Sequence, residues 1–200
     1  MMGAAVLEAT CASACDDWAT GSSFIPSGVE VHWLSGAAFL FVGALLVVEA
    51  LAGRVWYRGY AGRLIWPAAV IAVGIGSLIS AYLGPTDKAA HALLGISLVV
   101  GGLFEGGYRL GRVQRGTGDF FVISALILGG LIIGPLHLQG SIVGSFTTQI
   151  HLLLGLTGFA MAGIRIIQRS HPSSALVAGS FGVLMVALAF QLLLMPGEHH

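Results

Sequence analysis

HALLGISLVVGG, residues 91–102, opens on a histidine and carries glycines at 95, 101 and 102. It lies inside an apolar run over about 89–108, roughly the 20 residues a helix needs to cross the hydrocarbon core of a bilayer. An imidazole is costly among lipid tails, so its place in such a run calls for a reason. The chain repeats the phrase twice, as HWLSGAAFLFVG from His32 and as HLLLGLTGFAMAG from His151.

Five further runs of similar length lie at about 31–52, 64–83, 119–135, 147–168 and 174–195. Charged residues are 9% of the chain and apolar residues 56%, against about 25% charged in a soluble domain. Mean hydropathy is +0.90. Backbone groups in lipid must be satisfied within their own segment, so each run is expected to be a helix. No sustained apolar/polar alternation suggests a barrel. The expected fold class is therefore an all-α integral membrane protein with six transmembrane helices. A Walker loop, a dinucleotide fingerprint, a GxSxG elbow and a basic patch interleaved with aromatics are all missing from the sequence. Nucleic-acid binding and catalysis on soluble substrates are not expected.

Charge orients the chain. Arg54, Arg58, Arg63, Arg109, Arg112, Arg115, Arg165 and Arg169 fall on one side of the six runs, and Lys88 alone falls on the other. The positive-inside rule makes the arginine-rich loops cytoplasmic, which puts both termini outside a cell membrane crossed several times. Residues 1–30 are expected as a short extracytoplasmic segment with no cleaved leader, 31–196 as the transmembrane domain, and 197–200 as an extracytoplasmic tail. Cys11 and Cys15 fall on the oxidising side as a candidate disulfide, with free thiols or metal ligation as alternatives.

His32, His91 and His151 are spaced 59 and 60 residues apart. The even-numbered runs end alike, at LGP (83–85), IGP (133–135) and LMP (194–196), and proline cannot continue a helix interior. Three helical hairpins follow, over about 31–85, 89–135 and 147–196. At 100° per residue, positions +4 and +11 return to within about 40° and 20° of the histidine. Gly36 and Gly43 thus share a face with His32, and Gly95 and Gly102 with His91. Gly155 shares one with His151, its later glycine being displaced to Gly163. Small residues let membrane helices approach closely, so these faces point into the bundle and carry the histidines inward.

Imidazoles at matched depth on three helices suit a cofactor. The first expectation is a b-type haem for membrane electron transfer. His91 and His151 would be its axial ligands and His32 a substitute, with Gly95, Gly155 and Gly36 giving room for the macrocycle. Histidines near the outer ends of apolar helices resemble, at those positions alone, small multi-pass b-type cytochromes. No residue role is carried over from that likeness. The alternative is a copper or zinc site formed by His32, His91 and His151 with His137. A third expectation is a cofactor-free accessory or scaffold subunit that packs on other membrane subunits. Quinone is a further possible partner beside the lipid bilayer. At the inner ends, Glu49 lies close to Arg54, while Glu105 and Arg165, each 14 residues after its histidine, are expected to form an ion pair.

Overall fold

The computed structural model describes residues 28–52, 60–83, 88–136 and 146–195. Cys11, Cys15, His137, the segment before residue 28 and the tail after 195 lie outside the described residues. Those described are helical, joined by short turns, with no strand among them. The helices are α1 (Gly28–Ala52), α2 (Tyr60–Leu83), α3 (Lys88–Arg109), α4 (Arg115–Leu131), α5 (Phe146–Ser170) and α6 (Ala175–Leu193). A π-helical turn, Ile132–Leu136, extends α4. All six helices are long and apolar enough to cross a membrane. Large apolar side chains such as Leu51, Leu83, Leu103, Leu156 and Leu176 face outward and exposed, an arrangement suited to lipid rather than water.

The apolar runs place the helices, but polar ends lengthen them. α2 takes in Tyr60 and Arg63 ahead of its run, so Pro67 lies in the helix interior rather than in the first turn. Proline there removes one backbone donor and crowds the preceding turn. α3 accommodates it with small residues. A Cβ on Gly102 would sit 3.0 Å from the Pro67 carbonyl oxygen, and one on Gly106 would sit 3.5 Å from the Pro67 ring.

Each helix packs on its sequence neighbours, and α1 also packs on α6, closing the six into a circle. The six contacts differ in extent. Two are the most extensive, α6–α1 and α2–α3, and neither is a hairpin expected from the sequence, while α4–α5, taken with its π-helical turn, is about as extensive as α3–α4. Glycine brings backbones together at α6–α1, α2–α3 and α4–α5. An added Cβ on Gly36 would lie 2.8 Å from Leu193 Cγ, and one on Gly43 would lie 2.9 Å from the Val186 nitrogen. On Gly95 it would lie 2.7 Å from the Gly74 carbonyl oxygen, and on Gly155 2.8 Å from that of Gly130. The glycine that follows each histidine by four therefore packs its helix against the preceding one in the circle. Gly163 does not share this role, since no atom approaches the place of its Cβ within 4 Å.

Two tight turns set the arginine end. After α3, Gly111 takes φ +73°. Its N–H donates to Tyr108 O and the Arg112 N–H to Gly107 O, a Schellman closure in which glycine carries the left-handed residue without strain. The turn from α5 to α6 ends at Ser174, whose hydroxyl accepts from the Val177 N–H as an N-cap.

Candidate functional site

At the end of the bundle opposite the arginines, the six helices surround a chamber of about 130 Å³. His32 from α1, His91 from α3 and His151 from α5 line it, joined by Ser35, Ser77 and Met195. Their helices alternate round the circle, so equal starting depth brings three imidazoles to one cavity. The His32 and His91 rings have centroids 6.4 Å apart and planes inclined at 52°. Ser77 on α2 donates to the His91 carbonyl oxygen at 2.8 Å, tying α2 to α3 at this level. Below Ser35 and Ser77 the walls are apolar, formed by Phe39, Val73, Leu98, Leu126, Leu188 and Gly158.

The chamber corrects several expectations drawn from the spacing. His32 and His91 are in ring contact, and His151, expected with His91 as an axial pair, is a wall residue of the same chamber. Gly36, Gly95 and Gly155 leave no room for a macrocycle, because neighbouring helices already fill the space beside them. The glycines lining the chamber are Gly129, Gly130 and Gly158. A void of roughly 150 Å³ holds one benzene ring, so a porphyrin would have to displace wall side chains to enter. Among the described residues, no three His, Cys, Asp or Glu side chains converge closely enough to hold a metal ion. The all-histidine triad is therefore absent as a three-ligand set, and His137 lies outside the described residues. Met195, which reads in the sequence as a packing residue, is a wall residue of the same chamber.

The arginine end holds a second polar cluster. Arg165 Nη2 donates to Glu105 Oε2 at 2.6 Å, and its Nε to Asp119 Oδ1 at 2.9 Å. Its Nη1 donates to Gln168 Oε1 at 3.2 Å. Glu105 accepts a further bond from Arg109 Nε at 2.8 Å. Arg109 approaches Glu49 Oε2 at 4.0 Å and stands 5.8 Å over the Trp66 ring, so the partner of Glu49 among the described residues is Arg109. Asp119 Oδ2 has Arg115 at 3.5 Å and Arg169 at 3.8 Å. The side chains of Glu105, Asp119 and Arg165 are 1%, 2% and 9% exposed.

One buried guanidinium thus bridges carboxylates from two other helices, with its forked donors satisfied in a plane. Buried charges persist only when paired in this way, because desolvating each one costs several kcal/mol. The cluster clasps α3, α4 and α5 and reaches α1 and α2 through Arg109. Among the described residues lining the chamber, the polar ones are His32, Ser35, Ser77, His91 and His151, and none belongs to this cluster. Asp119 escapes a reading of the sequence because it stands at the edge of its apolar run, where it resembles an interfacial carboxylate. Its available signal is Arg115 one turn earlier, an (i, i+4) pair.

No protein-family model, curated protein or solved structure matches the chain.

Proposed function

We propose that this is a multi-pass protein of the cell membrane that binds a single copper ion at its outer face, between His32 and His91. The spacing of the two imidazole rings carries this reading. Imidazoles bound on opposite sides of one metal, at about 2.0 Å per bond, have ring centres roughly 6.3 Å apart, and these lie 6.4 Å apart. Rings so bound are free to turn about the metal–nitrogen axis, so a 52° inclination is compatible with the geometry. Haem b would use the same spacing, and the apolar walls suit a porphyrin. The size of the chamber favours the bare ion. Six arginines at the opposite end among the described residues, Arg63, Arg109, Arg112, Arg115, Arg165 and Arg169, support an outward-facing site under the positive-inside rule.

The test is elemental analysis and an oxidised-minus-reduced absorption spectrum of detergent-purified protein after copper loading. The wild type is expected to carry near-stoichiometric copper with no haem bands, and His32→Ala and His91→Ala to lose it. An impermeant chelator should strip the ion from right-side-out vesicles and not from inverted ones. Iron with reduced α and β bands would establish haem instead. A folded protein that takes up no metal would sink the proposal and leave the histidines as packing residues of a scaffold subunit.

A further inference from the structure

We infer that the bound ion is copper in its monovalent state and that Met195 supplies its third ligand. This rests on the imidazole pair proposed above, and three observations carry it further.

The first is placement. Met195 lines the same chamber as His32, His91 and His151 and is 4% exposed. It follows directly on α6, where the chain stops being α-helical. The Leu194 N–H still donates to Phe190 O, while the Met195 N–H donates to Leu192 O. That closing bond, to a carbonyl three residues back, tightens the last turn at Met195, on the end of α6 that meets the starts of α1, α3 and α5. A buried thioether is thereby held at the histidine level of the bundle.

The second is charge. Among the described residues, those lining the chamber include no carboxylate and no thiol. Imidazole, thioether and hydroxyl are all neutral donors. The self-energy of an ion in a medium of low dielectric rises with the square of its charge, so a divalent ion pays about four times the desolvation penalty of a monovalent one. Zinc sites relieve that penalty with thiolates, carboxylates or a bound hydroxide, and the described wall residues offer neither of the first two.

The third is softness and coordination number. Thioether sulfur selects monovalent copper over harder divalent ions. The two imidazoles proposed above would make a two-coordinate centre, and no set of three His, Cys, Asp or Glu converges there among the described residues. A zinc ion would need a tetrahedral set. Monovalent copper needs one soft neighbour at most.

The experiment uses the full chain in detergent with Cys11→Ser and Cys15→Ser, so that outer thiols do not contribute. Affinities for monovalent copper and for zinc are measured by competition with chromogenic chelators under reducing conditions. The probe metals are added alone, and copper K-edge absorption reports sulfur scattering. The parent protein is expected to bind monovalent copper more tightly than zinc, with one sulfur in the copper shell. Met195→Leu conserves volume and should keep the thermal midpoint. It is expected to remove the sulfur signal and to weaken copper binding by roughly 10–100-fold, the range seen when a supporting group is lost.

Copper binding that needs His32 and His91 but is unchanged in Met195→Leu would overturn the ligand assignment. Zinc bound as tightly as copper would overturn the choice of ion. Both results would leave the imidazole pair standing. No metal uptake, or uptake indifferent to His32 and His91, would overturn the pair and this inference together.

Discussion

One methyl group is the smallest change that separates the two kinds of glycine in this bundle. At Gly95 it would lie 2.7 Å from both the Gly74 carbonyl oxygen and Leu78 Cγ, so α2 and α3 must part to admit it. Gly95→Ala is expected to destabilise the protein by about 1–3 kcal/mol, as overpacking does elsewhere. At Gly163 the same methyl meets nothing within 4 Å. Gly163→Ala is expected to be neutral or to gain up to about 1 kcal/mol in helix propensity. Thermal unfolding of both variants in one detergent measures the difference, and equal midpoints would show that the close contact is not there. The inward-facing glycine face was legible in the sequence, because +4 and +11 are matters of helix angle alone. What fills that face was not legible, since spacing within one helix carries no information about which neighbour arrives. Gly158, seven residues after His151 and within about 20° of it, is legible by the same angle, whereas Gly163 lies about 120° away.

At the scale of elements, the clasp at the arginine end binds three helices through one guanidinium. Arg165→Met removes the cation shared by buried Glu105 and Asp119, leaving Glu105 with Arg109 and Asp119 with the longer contacts to Arg115 and Arg169. A loss of about 3–5 kcal/mol is expected, the range for breaking a buried ion pair from one side. The triple variant Glu105→Gln, Asp119→Asn, Arg165→Met should recover most of it, since no buried charge is then left alone. Arg169 is 52% exposed and 3.8 Å from Asp119, so Arg169→Ala should change stability by no more than about 1 kcal/mol. Thermal midpoints rank the three variants, and a ranking with Arg169→Ala lowest would refute the clasp. Opposite charges at equal distance from two histidines made the Glu105–Arg165 pair legible. Asp119 was not, because its burial depends on how sharply the Gly111 turn folds α4 back along α3.

For the whole molecule, circular closure is open to direct test through its seam. A Cβ built on Gly179 would lie 3.5 Å from Ala50 Cβ, at the lower edge of the range of about 3.5–4.5 Å that a disulfide spans. Ala50→Cys with Gly179→Cys, in a background without Cys11 and Cys15, is expected to cross-link on mild oxidation. The product should migrate faster on a denaturing gel until reduced. Ala50→Cys with Gly163→Cys should not cross-link. Failure of the first pair, or success of the second, would rule out α1 lying against α6 as described. The helix number and the alternation of direction were legible because run length and arginine placement encode them. The pairing was not. Short loops suggest that consecutive helices are the closest partners, yet in lipid closeness follows the small residues, and these join α1 to the last helix in the circle.

That seam has a history in time. Ribosomes extend a chain by about 5–20 residues per second, so α1 enters the bilayer on the order of ten seconds before α6 exists to meet it. Through that interval Gly36 and Gly43 present bare backbone with no native neighbour, and any other helix with a small-residue face is a competitor for them. The nascent protein must therefore be kept open, or shielded by whatever inserts it, until its final span arrives. Loss of α6 would then do more than shorten the bundle. It would leave α1 an orphan from the moment of its synthesis.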